Sequence, residues 1–362
     1  MKFKINRMSE SKELGQCCEG LVSVIVSKGH AEIDAEQVSD FVLNLVDLEN
    51  PRAFRRKDEA EKVISVALVS ENRDDMKSVC YTTLVRTLSN MMFCIVQKGK
   101  NNEMTGYSIT PEVGFTEFVY SPERMFSYIY PIASSHFVLR NRISTDIRLA
   151  ENQKVAEAES IIKFARILDE LGVLPAPFPI NEFLDQPTID HLYRLYQIKG
   201  LSYGNLSIRN ESYPTGNTSF WMTARGVNKS QLKGIGQDIL LVTGYDSVLS
   251  EMLVSVTEEH NPRIRVSVDA IEHFLIYDRF PGIGAIVHVH AWYDGINSTT
   301  QVFPCGTREL AENAVNLLQS SPVPEKAVIG LKNHGITITG PDINDIFDRI
   351  RGRLIINVPM FS

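Results

Sequence analysis

The stretch AIVHVHAWYDG, residues 285–295, sets His288 and His290 two positions apart in an apolar, β-branched run. In a strand, side chains at i and i+2 share one face. Such a pair can grip one ion, or it can be two core imidazoles that each find a hydrogen bond. The spacing alone leaves both readings open, in a chain with only eight histidines.

Outward from this strand, VDAIEHFLIYDRF (268–280) has helical periodicity and ends at Pro281-Gly282. It carries Asp269 and His273 at i and i+4, on one helical face. Downstream, His334 sits in an NHG triplet between two apolar strands within KAVIGLKNHGITITG (326–340). Three histidines are the protein ligand set of one kind of catalytic zinc site, which leaves a coordination position open. A nearby carboxylate supplies the general acid/base that Lewis-acid chemistry commonly needs.

The surrounding segments extend the pattern. GNLSIRN (204–210), SFWMTARGV (219–227) and DILLVTGYD (238–246) are expected strands. TIDHLYRLYQIKG (188–200) and TRELAENAVNLLQS (307–320) are expected helices. In the N-terminal part, helices are expected over 9–28 and over 34–47, the latter with Asp34 as N-cap. A strand is expected over 62–70, a helix over 75–92 and a strand over 92–99, an α/β order. The aromatic-rich residues 107–150 are not assigned to elements. An Ala-rich, charged helix over 148–172 stops at Gly172. VLPAPFPIN (173–181) follows, with Pro175, Pro177 and Pro179 alternating into a stiff, extended connector. The expected organisation is an α/β domain over 1–150, a helix and Pro-rich linker over 151–180, and a second domain over 181–362.

At 362 residues, with 43% hydrophobic and 22% charged residues, the chain has the composition of a globular protein of two domains. A formal charge of −7 argues against nucleic-acid binding. The basic run Arg55-Arg56-Lys57 is followed by Asp58, Glu59 and Glu61 and reads as a solvated helix start. The five cysteines, without a CxxC pair, argue against a disulfide framework. No secretory leader is visible, and no apolar run approaches the ~20 residues that span a bilayer. A cytoplasmic protein without membrane or nucleic-acid partners is expected.

From about residue 187 to 340 the chain resembles the class II aldolase/adducin family. The matching stretches, in the family's order, are GNLSIRN, FWMTARGV, SVDAIEHFLIYDRFPGIGAIVHVH and GLKNHGITITG. The resemblance implies an α/β/α sandwich with a central, mainly antiparallel sheet, separate from the N-terminal α/β domain. It implies that His288, His290 and His334 bind a divalent metal, usually zinc, with iron, manganese or cobalt as alternatives. The family's acid/base glutamate lies in an SSE triplet, which here is Ser267-Val268-Asp269. Asp269 is the implied acid/base, with Glu272 in reserve and His273 as a group that could orient the carboxylate. The implied anion pocket comprises Gly204, Asn205, Arg225, Gly226 and Ser267, with an arginine where the family has a small hydroxyl residue. The family's downstream tyrosine is missing, since none follows Tyr293, so Tyr293 and Tyr277 are the candidate substitutes. Little chain follows His334.

The implied activity is that of a metal-dependent lyase of carbohydrate metabolism. It would stabilise an enediolate of a small anionic hydroxy-carbonyl substrate for C–C cleavage or formation, in a homo-oligomer, tetrameric in the family. Epimerisation, dehydration, decarboxylation and iron-dependent oxygenation use related intermediates. The rival is a non-catalytic, adducin-like assembly domain. Outside this constellation, His136 and Arg140 form either a structural pair or an anion site, and Cys17-Cys18 reads as core.

Overall fold

The computed structural model describes residues 1–34, 36–54, 62–70, 73–98, 103–110, 114–148, 155–174, 184–187, 189–190, 202–212 and 218–359. Pro175, Pro177 and Pro179 of the connector, the expected helix over 188–200 apart from residues 189–190, and the basic run at 55–57 lie outside the described residues. The chain forms two compact units, the first principally Met1–Ser135 and the second principally the described residues from His136 onward.

The first unit contains β1 (Lys2–Arg7), α1 (Lys12–Ser27), β2 (Ala31–Glu32), β3 (Phe41–Leu45), β4 (Lys62–Val69), α2 (Met76–Thr87), β5 (Met91–Lys98), β6 (Glu103–Ile109), β7 (Phe115–Val119) and α3 (Pro122–Ser134). Its sheet runs β2-β1-β3-β4-β5-β6-β7. Strands β1 to β5 pair in parallel, and β6 and β7 are antiparallel. Helix α1 starts where the Ser11 hydroxyl accepts from Leu14 N–H. It lays Leu14, Cys18, Leu21 and Ile25 on a core shared with Met125, Phe126, Ile129 and Ile132 of α3.

The helix expected over 34–47 is a strand at Phe41–Leu45, and Asp34 caps no helix there. Every residue of β3 is buried. An interior parallel strand is covered on both faces and therefore reads as a largely apolar run without alternation, here broken only by the hydrogen-bonded Asn44. Val38, Phe41, Val42, Leu45 and Val46 imitate helical spacing only because such a run satisfies any period. The described residues of 107–150 resolve into the end of β6, then β7, α3 and a strand of the second unit.

The second unit contains β8 (Arg140–Ile147), α4 (Ala156–Glu170), β9 (Asn205–Arg209), β10 (Phe220–Thr223), a 3-10 turn (Lys229–Gln231), β11 (Ile239–Asp246), β12 (Glu251–Thr257), α5 (Ala270–Arg279), β13 (Ala285–Val289), α6 (Arg308–Gln319), a second 3-10 turn (Pro324–Lys326), β14 (Val328–Leu331), β15 (Gly335–Gly340) and α7 (Ile343–Ile350). The sheet order is β14-β15-β13-β9-β10-β11-β12-β8. All neighbours are antiparallel except β12 and β8.

Alternation along the strands builds two cores. Phe220, Met222, Leu240, Val242 and Ile286 pack with Ile271, Ile276 and Tyr277 of α5 and Leu310, Ala314 and Leu318 of α6. Trp221, Leu241, Val287, Val289, Ile336 and Ile338 pack with Ile161, Phe164 and Leu168 of α4 and Ile346, Phe347 and Ile350 of α7. The result is the expected α/β/α sandwich around a mainly antiparallel sheet. The division at Ser135/His136 falls before the expected end of the first domain at 150. Its cause is β8, which pairs with β12 from Arg140 to Ile147, and α4, whose apolar face belongs to the second core.

Candidate functional site

On the α5 side of the second sheet, alternation places a polar patch inside an otherwise apolar layer. His288 of β13 faces the same way as Ile286, and its cross-strand partners are Asn205 on β9 and Thr337 on β15. Ser207 pairs opposite Ile286. Against this patch sits the first turn of α5, with Asp269 at the N-cap position and Glu272 and His273 in the helix, all buried.

His288, His290 and His334 converge. Their ring centroids lie 4.8–5.2 Å apart, and one potential ligand atom from each lies within 4.8 Å of the others. His290 Nε2 is 3.0 Å from His334 Nε2. His290 leaves β13 just after its last residue and meets the Tyr203 ring at 5.4 Å. His334 is aimed by its triplet. Asn333 takes a left-handed φ of 60°, which asparagine tolerates, and His334 N–H donates to Leu331 carbonyl. At Gly335 a Cβ would run into the Val289 carbonyl, so the turn can press against β13 only with glycine there.

The donor set suits a divalent ion. Burial lowers His288 to about 4 and His334 to about 3, and His290 and His273 fall well below the usual imidazole value for the same reason. Neutral rings are the ligating form. The His288 ring bonds the Ile336 backbone, and its Nε2 is buried without a hydrogen-bond partner among the described residues. With Nδ1 turned to the backbone, Nε2 is left as the lone-pair donor. Tetrahedral zinc with Zn–N of about 2.0–2.1 Å needs nitrogens roughly 3.3 Å apart, close to the His290–His334 separation.

Asp269 lies beside the triad. Its Oδ2 accepts from Asn205 Nδ2 at 2.6 Å, and its Oδ1 has no hydrogen-bond partner among the described residues. Burial raises its pKa, and the nearby His334 ring, the Asn205 hydrogen bond and the charges of Lys229 and Arg225 pull it back. Glu272 accepts from Thr337 Oγ1 at 2.6 Å, and Thr337 Oγ1 is 3.5 Å from His288 Nδ1. Burial first and Asp269 second push Glu272 up to about 8. Glu272 thus lies behind a triad histidine. His273 Nδ1 and Tyr277 OH both meet Ser207 Oγ, at 2.7 and 2.9 Å, and His273 Nε2 is buried without a hydrogen-bond partner among the described residues. Tyr293 accepts from Arg353 at 2.8 Å.

The expected anion-pocket residues divide. Gly204, with φ of 76°, brings the chain so near β13 that a Cβ would sit 2.6 Å from the His288 carbonyl. Its glycine is demanded by that approach as well as by any ligand. Arg225 is exposed, Gly226 turns with φ of 68°, and Ser267 is half-buried. The Ala224–Val266 bridge and the Arg225 N–H to Arg265 carbonyl bond set these two loops side by side. His136 lies outside this cluster. It pairs with Glu309 at 2.6 Å, a carboxylate where an anion site would need an open donor.

Two residues escaped the sequence reading. Lys229 is 3% exposed, and its Nζ donates to the Ser202 carbonyl at 2.9 Å. Burial lowers its ammonium to about 8, and the charge of Asp269 supports it. Its signal was its place three residues after Gly226, on a turn where a charged side chain ordinarily points to water. Cys305 places Sγ 3.1 Å from His334 Nε2. Only its position just before the Gly306-Thr307 start of α6 distinguished it.

Residues 188–301 match the family model described as the Class II Aldolase and Adducin N-terminal domain. The chain is 31% identical over 121 residues to methylthioribulose-1-phosphate dehydratase of Leptospira biflexa, covering 33% of this chain and 50% of that protein. It is 30% identical over 96 residues to L-fuculose phosphate aldolase of Methanococcus maripaludis, covering 21% of this chain and 49% of that protein. The chain therefore spans about half the length of these curated relatives. Among solved structures it is similar to an L-fuculose 1-phosphate aldolase, with 17% identity, 56% of this chain and 84% of that chain covered, and a TM-score of 0.37. A similar match is YgbL of Klebsiella pneumoniae, titled a putative aldolase/epimerase/decarboxylase, at 16% identity, 53% and 82% coverage and a TM-score of 0.34. The C-terminal unit carries a class II aldolase/adducin domain. Among the described residues no helix is long and apolar enough to cross a membrane.

Proposed function

We propose that the C-terminal unit is a divalent-metal-dependent lyase acting on a small anionic hydroxy-carbonyl compound. The observation that carries this reading is the convergence of three buried, neutral imidazoles beside a buried carboxylate with one unpartnered oxygen. His288, His290 and His334 hold the ion, zinc in the first instance. When bound, it supplies Lewis acidity toward a carbonyl or hydroxyl oxygen.

The chain's own groups do the rest. Asp269 takes or returns the proton at Oδ1 while Asn205 fixes Oδ2. Its burial favours the protonated form and moves the carboxyl toward neutral pH, where general acid/base work is efficient. Lys229 adds a buried positive charge near that carboxylate. Arg225, with its planar fork of donors, receives an anionic substrate group at the exposed rim, beside Gly226 and Ser267. Gly204 and Asn205 complete the pocket. C–C cleavage is the first choice. Dehydration is the second, favoured by the dehydratase among the relatives. A cytoplasmic homo-oligomer completes the proposal.

The test is turnover of a panel of hydroxy-carbonyl phosphates and acids by zinc-loaded protein, with Asp269→Asn alongside. Cleavage or dehydration of one class, abolished in Asp269→Asn with metal content unchanged, is expected. Equal turnover by that variant would remove Asp269 from the chemistry. A metal-loaded protein inert to every class would favour the adducin-like assembly reading.

A further inference from the structure

We propose that Cys305 is a fourth protein ligand of the ion held by His288, His290 and His334, so that a thiolate closes the resting site. The inference rests on the metal reading above and adds a ligand to it.

His334 Nε2 has two donor atoms as neighbours, His290 Nε2 at 3.0 Å and Cys305 Sγ at 3.1 Å. His334 Nε2 thus has both a nitrogen and a sulfur within reach, and the Nε2 of His288, in the same cluster, is buried without a hydrogen-bond partner among the described residues. A thiol serving only as a weak hydrogen-bond donor needs one acceptor, not a cluster of lone pairs.

The loop that carries Cys305 is fixed from both sides. Pro304 carbonyl accepts from Thr307 Oγ1 at 2.7 Å, and Thr307 in turn caps α6. Gly306 carbonyl accepts from Val138 N–H at 2.8 Å. Gly306 adopts φ of 74°, and a Cβ there would lie 3.0 Å from Leu139 and 3.1 Å from Val268, next to Asp269. The sulfur is thus held beside the triad by a close-packed turn, the kind of support that a ligand position requires.

Three imidazoles and a thiolate form a closed tetrahedral set, with Zn–S of about 2.3 Å. On ligation the thiol loses its proton to solvent, and no oxidant or reductant takes part. The thiolate so placed keeps water from the ion until substrate arrives.

Cobalt provides the test. Full-length wild type, Cys305→Ser, Cys305→Ala and His334→Ala are titrated with cobalt(II), and their visible and near-ultraviolet spectra are recorded. The expected wild-type spectrum has ligand-field bands and a thiolate-to-cobalt charge-transfer band. Both Cys305 variants keep the ligand-field bands, lose the charge-transfer band and bind cobalt about tenfold or more weakly. A wild-type spectrum with ligand-field bands and no charge transfer overturns the role of Cys305 and leaves the three-histidine site standing. The same holds if the band persists in the variants. A wild type that takes up no cobalt overturns the metal reading itself, and the proposal with it.

Discussion

Asn205 and Asp269 are joined by a 2.6 Å hydrogen bond between buried side chains, the amide donating to Oδ2. Asn205 is also the cross-strand partner of His288. One residue thus ties the position of the candidate acid/base to the strand that carries the histidine pair. Asn205→Ala strands a buried carboxylate oxygen and should cost about 1–3 kcal/mol. In a urea-denaturation cycle with Asp269→Ala, the double variant should lose less than the sum of the two singles. Strict additivity would mean that the bond contributes nothing.

Glu272 gives a pH signature to the metal-free protein. Its carboxyl lies at about 8 in the fold against 4.5 as a free group. Between those values the unfolded chain is ionised and the folded one protonated, so the folded state binds more protons. Stability from this group is therefore lost as pH rises through that window. Glu272→Gln cannot titrate, and it should gain on wild type by up to about 1.4 kcal/mol per pH unit between roughly pH 5 and pH 8. Thermal midpoints that run parallel across the window would show that the carboxyl is not shifted.

Lys229 is a buried ammonium with a hydrogen bond to the Ser202 carbonyl. Burying a charge costs stability unless it is well paired. Lys229→Met should therefore match or exceed wild type in thermal midpoint while losing about 10²-fold in turnover of the substrate class found. A destabilised variant with full activity would make Lys229 structural.

Gly335→Ala drives a Cβ into the Val289 carbonyl, at the turn that aims His334. Overpacking of this kind costs about 1–3 kcal/mol. The displaced imidazole should also weaken metal binding, measured by competition with a chromogenic chelator. Unchanged affinity would mean that the turn does not set the ligand.

Much of the second unit was legible because its signals are local. Strands β9 to β15 are short apolar runs bounded by turn residues, and GN, HVH and NHG lie at strand ends or turns where only certain residues fit. The first unit was harder. Its β3 is buried on both faces, so a strand inside a parallel sheet imitated a helix at Phe41–Leu45. The strand β8 lacks alternation, with mostly exposed or half-buried residues, and its attachment to β12 depends on tertiary pairing. In the site, Lys229 and Cys305 were invisible because nothing local distinguishes a lysine on a turn, or a cysteine before a helix, from its solvated counterpart. Their importance comes from which strand ends the fold brings beside them.

The central claim is that His288, His290 and His334 form one divalent-ion site. Its most direct test is metal content by mass spectrometry of purified wild type, His288→Ala and His334→Ala, with thermal midpoints before and after chelation. The expected result is about one zinc-class ion per wild-type chain, absent from both variants, and a wild-type midpoint that falls on chelation. A metal-free wild type, unable to take up zinc and with a midpoint indifferent to chelator, would contradict the account.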